Sequence, residues 1–128
     1  MLDKDTLINR NKAFVIAVIR LIEQFSKSLS VDVFSRQLIR CSSSVGANYR
    51  AACRAKSTAD FIYKLKIVEE EADESMYFLE LLKEVVPNSF HPEIDRLLKE
   101  ANELVAIYVS SIKKVKQNQK SKIITHNS

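Results

Sequence analysis

Phe34, Leu38, Cys41, Val45, Asn48 and Ala52 recur at steps of 4 and 3, a spacing that places them on one side of an α-helix. Three more stretches repeat the pattern. The first predicts a helix over about 3–28, with Leu7, Phe14, Val18, Leu21 and Phe25 in one stripe and a polar gap near Arg10 and Asn11. Val15, Ile19 and Ile22 form a second stripe beside it, wider than a two-helix seam requires. The second helix is expected over about 33–54, with Asp32 as its N-cap. The third spans about 58–86, where Ser57 caps the start and Pro87 stops the end. Its stripe is Phe61, Leu65, Val68, Ala72, Ser75, Leu79, Leu82 and Val86. The fourth spans about 92–116 through Ile94, Leu97, Ala101, Leu104, Tyr108, Ile112 and Val115, with Glu93 and Asp95 favouring its N-terminal dipole. Residues 117–128 are polar and basic and read as a tail whose helix frays.

Four long helices joined by short links predict an all-α, up-down-up-down antiparallel four-helix bundle over residues 1–116. One glycine and two prolines in 128 residues leave little material for anything else. Gly46 falls inside the second helix, at a cost of about 1 kcal/mol relative to Ala. Close approach of a neighbouring helix would offset that cost. The surplus apolar positions Phe78, Leu81 and Val85, with Tyr77 beside them, extend the third helix's apolar surface beyond what a monomer needs. They read as a subunit interface, and Val15, Ile19 and Ile22 either join it or lie deep in the bundle.

Charge changes the picture more than composition does. Residues 1–56 hold 10 Lys/Arg against 4 Asp/Glu (+6), residues 57–87 hold 3 against 8 (−5), and residues 88–128 hold 7 against 4 (+3). An acidic third helix between basic neighbours suits salt bridges and solvated faces, and Arg40 is expected to pair with Glu74 or Glu80. Asn48, on the apolar stripe, is expected to bond a neighbouring helix and fix its register. The remaining cations offer phosphate contacts: Arg36, Arg50, Arg54 and Lys56, with Lys113, Lys114 and Lys116 of the fourth helix. Lys120 and Lys122 continue that run.

Catalytic chemistry finds little footing. The run Glu69-Glu70-Glu71-Ala72-Asp73-Glu74 could hold a cation, but helix 3 lacks the His of a Glu-x-x-His di-metal helix. Cys41 and Cys53 lie on one predicted helix, about 18 Å apart along its axis, so they cannot bridge and read as small buried thiols, with reactive or metal-ligand roles as the alternative. An enzyme would need a site among Tyr49, Tyr63, Glu70 and Glu74. No metal, cofactor, small-molecule substrate or membrane span is expected. The start of the chain does not read as a secretion signal, and the expected location is the cytoplasm.

The segment Arg40-Cys-Ser-Ser-Ser-Val-Gly-Ala-Asn-Tyr-Arg-Ala, continued by Ala55-Lys-Ser, Asp60-Phe-Ile-Tyr-Lys-Leu and Glu70-Glu-Ala-Asp-Glu-Ser-Met-Tyr-Phe-Leu-Glu-Leu-Leu, resembles the 23S rRNA-intervening-sequence protein family. The likeness covers about residues 12–116. Ala51 departs from it, since many members carry Glu there. The resemblance implies a homo-oligomeric bundle, typically a pentameric ring. The sequence is also similar to the accessory protein of diversity-generating retroelements, a pentamer of the same bundle that binds nucleic acid, so RNA or DNA is an expected partner. A protein-interaction scaffold is the alternative.

Overall fold

The computed structural model describes the backbone of residues 3–127 and the side chains of residues 3–122. Four α-helices and one 3-10 turn make up the described residues, without a strand: α1 (Lys4–Ile22), α2 (Leu29–Cys53), α3 (Thr58–Val85), the turn Asn88–Phe90, and α4 (His91–Asn127).

Side-chain oxygens start the first three helices. Asp3 accepts from the Thr6 amide at 2.7 Å, Ser28 from Val31 at 3.2 Å and Ser57 from Asp60 at 3.1 Å, each satisfying an amide that has no partner within its helix. Ser57 is the expected cap. For α2 the cap is Ser28 and not Asp32, which instead places its charge in the first turn, where the helix dipole favours it. Correspondingly α1 ends at Ile22, short of the expected Ser28. The chain leaves α1 there because Phe25 turns inward, its ring meeting Phe90 edge-on at 5.0 Å.

At the other boundary, Pro87 follows Val86, as expected, and the His91 ring bonds the Lys83 carbonyl at 2.9 Å, tying the end of α3 to the start of α4. Instead of ending at Lys116, α4 continues helical to Asn127, so the segment read as a frayed tail prolongs the helix.

The helices form a bundle in which α3 packs most extensively on α2, then on α4. α1 lies on α2 and touches α4 least. The core takes Leu7, Phe14, Val18 and Leu21 from α1, and Leu38, Cys41, Val45 and Ala52 from α2. It adds Leu65, Val68, Ala72, Leu79 and Leu82 from α3, and Ile94, Leu97, Ala101, Leu104, Tyr108 and Ile112 from α4. Burying a Leu-sized side chain is worth about 1.5–3 kcal/mol, so this stripe-to-stripe contact dominates the stability.

On α2 the register differs slightly from expectation. Ser35 and Tyr49 are buried, while of the expected Phe34 and Asn48 the first packs against the core from its edge and the second is half-buried. Asn48 is half-buried and its amide donates to the Ser44 carbonyl (2.9 Å) and hydroxyl (2.7 Å) of its own helix. It bonds no neighbouring helix. Gly46 does face one: a Cβ built there would stand 3.4 Å from the Asn11 Cβ.

Candidate nucleic-acid interface

Two cavities mark one end of the bundle, where the α2–α3 connection meets the later turns of α4. One, of about 420 Å³, is lined by Cys53, Lys56, Ser57, Thr58, Phe61 and Val115 among others. The second, of about 460 Å³, is lined by Thr58, Val115, Asn118, Gln119 and Lys122. Thr58 and Val115 belong to both, so Lys56 and Lys122 flank a single patch. Arg54 is the C-cap of α2, and Arg50 lies one turn before it. Both are exposed, as are Lys113, Lys114 and Lys116. The Tyr49 and Tyr108 rings, 5.6 Å apart, fix this alignment of α2 on α4.

Of the seven sequence-predicted cations Lys56 lines this patch, and Arg50, Arg54, Lys113, Lys114 and Lys116 lie on the turns of α2 and α4 that adjoin it. Arg36 is not among them. It lines a different cavity with Glu23, Lys27 and Asp32, 14 residues before Arg50 and so about 21 Å along α2. Lys120 and Lys122 join this set, because α4 stays helical through the segment that carries them.

The nearby carboxylates are otherwise engaged. Asp60 pairs with Lys64 at 3.0 Å, and Asp3 caps α1, where the Thr6 amide holds its carboxyl below the usual range.

Elsewhere, charge is used within the fold. Arg40 pairs with Glu74, the expected partner, and with Glu71 at 3.4 Å, and its Nε donates to Gln37. Glu80 takes no part. Burial, then the charge of Glu74, pushes the Glu71 carboxyl up. Beneath this pair the Ser75 hydroxyl donates to the Cys41 sulfur at 3.3 Å, and burial raises that thiol. Cys41 is buried, and Cys53 is half-buried at the basic end. On the other side of the bundle, Arg10 bridges Glu100 (2.7 Å) and Glu103 (2.6 Å).

One polar pair was not anticipated from the sequence. The Tyr108 hydroxyl, fully buried, donates to Asn11 Oδ1 at 2.5 Å, while Asn11 Nδ2 has no partner among the described residues. The signal was there: Asn11 fills the gap in the stripe Leu7, Phe14, Val18 and Leu21.

Of the residues weighed for catalysis, Tyr63, Glu70 and Glu74 lie on α3 and Tyr49 on α2. Tyr49 is packed on Tyr108 inside the bundle, Tyr63 is 64% exposed on α3, and Glu74 is held by Arg40. Among the described residues no three His, Cys, Asp or Glu side chains are grouped to hold a metal. No described helix is long and apolar enough to cross a membrane.

The expected interface residues divide. Ile22 and Phe78 pack against the core, Phe78 also approaching Phe34 at 6.5 Å. Val15, Ile19 and Leu81 are half-buried. Tyr77 is 56% exposed, and Val85 is exposed as well.

These features define a small all-α four-helix protein whose distinctive chemistry is the distribution of charge over its surface. The chain belongs to the 23S rRNA-intervening sequence protein family, whose model matches residues 4–110. It is also similar to a crystal structure from Bacteroides thetaiotaomicron, described as a protein of unknown function from the S23 ribosomal protein family. The two share 28% identity and a TM-score of 0.71, over 83% of this chain and 97% of that one. No curated protein matches the chain. The lysines from Lys113 onward lie beyond the family match.

Proposed function

We propose that this protein is a non-enzymatic, cytoplasmic homo-oligomer, an antiparallel up-down-up-down bundle assembled as a pentameric ring, that binds RNA or DNA through one basic end. The observation that carries the binding reading is that Lys56 and Lys122 line the joined cavities around Thr58 and Val115, with Arg50 and Arg54 on the adjoining last turn of α2 and further lysines on the same stretch of α4. These side chains would contact phosphates, which position a protein on nucleic acid without reading its bases. The antiparallel reading is supported by contacts that rise on one helix as they fall on the next: Phe34 with Phe78 and Cys41 with Ser75, Phe25 with Phe90 and Asn11 with Tyr108. The ring rests on family resemblance, and the exposed Tyr77 and Val85 agree with it. The family's name refers to 23S rRNA-intervening sequences and the solved neighbour's function is unknown, so the nucleic-acid reading rests on this chain's own charges.

Binding of labelled RNA and DNA across a salt series tests it. Affinity should fall steeply with salt, by a slope that counts the phosphates contacted. Replacing Arg54, Lys56 and Lys116 by Glu should weaken low-salt binding at least tenfold, while reversal of Arg36 should leave it unchanged. Equal binding by the triple variant and the wild type would remove the basic end as the site. A protein-interaction scaffold is the second reading, favoured by the exposed tyrosines of α3. Partners that survive nuclease treatment would support it.

A further inference from the structure

α1 and α4 touch least of the neighbouring helices, and a groove of about 620 Å³ opens along their seam. Ala13, Ala17 and Ile16 line it together with Lys12 and Arg20 of α1 and with Arg96 and Glu93 of α4. Ile16 is exposed on the open side. Lys12 and Arg20 are exposed and form no side-chain hydrogen bond or ion pair among the described residues. Arg96 is held by Glu93 of its own helix at 2.6 Å. Three cations against one carboxylate leave this groove basic.

The outward face of α3 has the opposite character. Asp73, Tyr77, Glu80 and Glu84 follow at steps of 4, 3 and 4, which aligns them on one side of the helix, and all four are exposed. The three carboxylates enter no ion pair among the described residues. Glu71 and Glu74, by contrast, are turned toward Arg40. Tyr77 stands among unpaired acids, a large amphipathic ring of the kind enriched at interfaces.

We propose that the α1–α4 groove of one protomer receives the Asp73–Glu84 face of α3 from a second copy, with Tyr77 seated over Ala13 and Ala17. The carboxylates then meet Lys12, Arg20 and Arg96. Asp73 to Glu84 spans about 17 Å and Lys12 to Leu21 about 14 Å at 1.5 Å per residue, with Gln24 lengthening the groove beyond the end of α1, so the two surfaces are of comparable length. Groove and face are different surfaces of one chain, and each protomer would give one and use the other. Such a heterologous contact generates a ring when its rotation closes and a filament when it does not, never a twofold dimer through one patch. The inference rests on the homo-oligomer part of the proposed function and adds which faces meet.

Sedimentation of purified protein over a concentration series tests it, with helical content by circular dichroism confirming that each variant folds. Lys12→Glu/Arg20→Glu and Glu80→Lys/Glu84→Lys should each weaken association at least tenfold. Mixed in equal amounts, the two variants should associate with each other more than either does alone, since the acidic groove of one meets the basic face of the other, but a ring of five cannot alternate them throughout, so the mixture should fall short of the wild-type mass. The four substitutions on one chain should restore self-assembly. An oligomeric wild type whose reversed variants keep its mass, or whose variants neither associate on mixing nor recover its mass when combined on one chain, would overturn the pairing and leave the oligomer reading standing. A wild type that stays monomeric at every concentration would overturn both.

Discussion

Replacing Tyr108 by Phe removes one oxygen from the centre of the bundle and nothing else. That oxygen donates to Asn11 Oδ1, and Asn11, 1% exposed, already has Nδ2 without a partner among the described residues. After the change both polar ends of a buried amide lack protein partners. Leaving a buried acceptor unpaired costs about 1–3 kcal/mol, against about 1 kcal/mol for the net value of an ordinary hydrogen bond. We expect about 2 kcal/mol of destabilisation in urea unfolding, with an unchanged dependence on denaturant, because the same surface is buried. Phe fits the site that the Tyr ring already occupies, so no cavity contributes.

The double variant sharpens the reasoning. Asn11→Leu/Tyr108→Phe replaces both members of the pair with apolar groups of similar shape, which removes the unpaired atoms along with the bond. It should recover most of the loss and depart from the sum of the single effects, because the residues are in contact. Its one steric risk is Gly46, whose hydrogen-only side chain leaves room beside Asn11. If Tyr108→Phe costs less than about 0.5 kcal/mol, or if the double variant is no more stable than the single one, the pair is not the constraint described.

Three further outcomes follow from other positions. Gly46→Ala should stabilise the protein by about 0.5–1 kcal/mol in urea unfolding through helix propensity, since the new methyl group would meet Asn11 at 3.4 Å, ordinary contact; a loss would show that α1 cannot tolerate it. Arg40→Met should cost no more than about 1 kcal/mol, because Arg40 is 49% exposed, and the cost should shrink in high salt. Stability should fall as pH rises past about 10, where tyrosines of the unfolded chain ionise, because burial holds Tyr49 and Tyr108 protonated in the fold. The native state then binds more protons than the unfolded one, so the slope is negative, and Tyr108→Phe should make it shallower in unfolding curves taken between pH 8 and 11.

Helix identity was legible because the stripes on α3 and α4 keep 3-and-4 spacing without a break, and all of the α3 stripe except Phe61 is fully buried. Boundaries were less so. Nothing in the composition of residues 23–28 distinguishes a helix end from a continued turn, and Phe25 leaves α1 only because Phe90, distant in sequence, offers a ring to pack on. The same limit explains Asn48 and Tyr49. Adjacent residues straddle the edge of a helical stripe, and which one turns inward depends on Tyr108 across the bundle. For the basic end, the sequence supplied the cations, but their gathering required α2 and α4 to be aligned. Arg36 shares the helix and the charge of Arg50 and is excluded only by its distance along the axis.

The excess of basic residues in the first 56 positions can now be divided by what each cation meets. Arg10 and Arg40 are spent within the fold, on Glu100 with Glu103 and on Glu71 with Glu74. Lys12 and Arg20 line the groove, facing the same direction as Arg96. Arg50, Arg54 and Lys56 remain at the end where α4 adds its lysines. Under the proposed pairing, the acidic α3 face neutralises the groove cations of a neighbour and leaves the basic ends as the unbalanced charge. Several copies would then present several basic ends at once, and linked contacts raise affinity without any new kind of interaction. Assembly and phosphate binding are therefore separable in one chain. Reversing Lys12 and Arg20 should reduce nucleic-acid binding only as far as it reduces oligomer mass, whereas reversing Arg54 and Lys56 should weaken binding at unchanged mass.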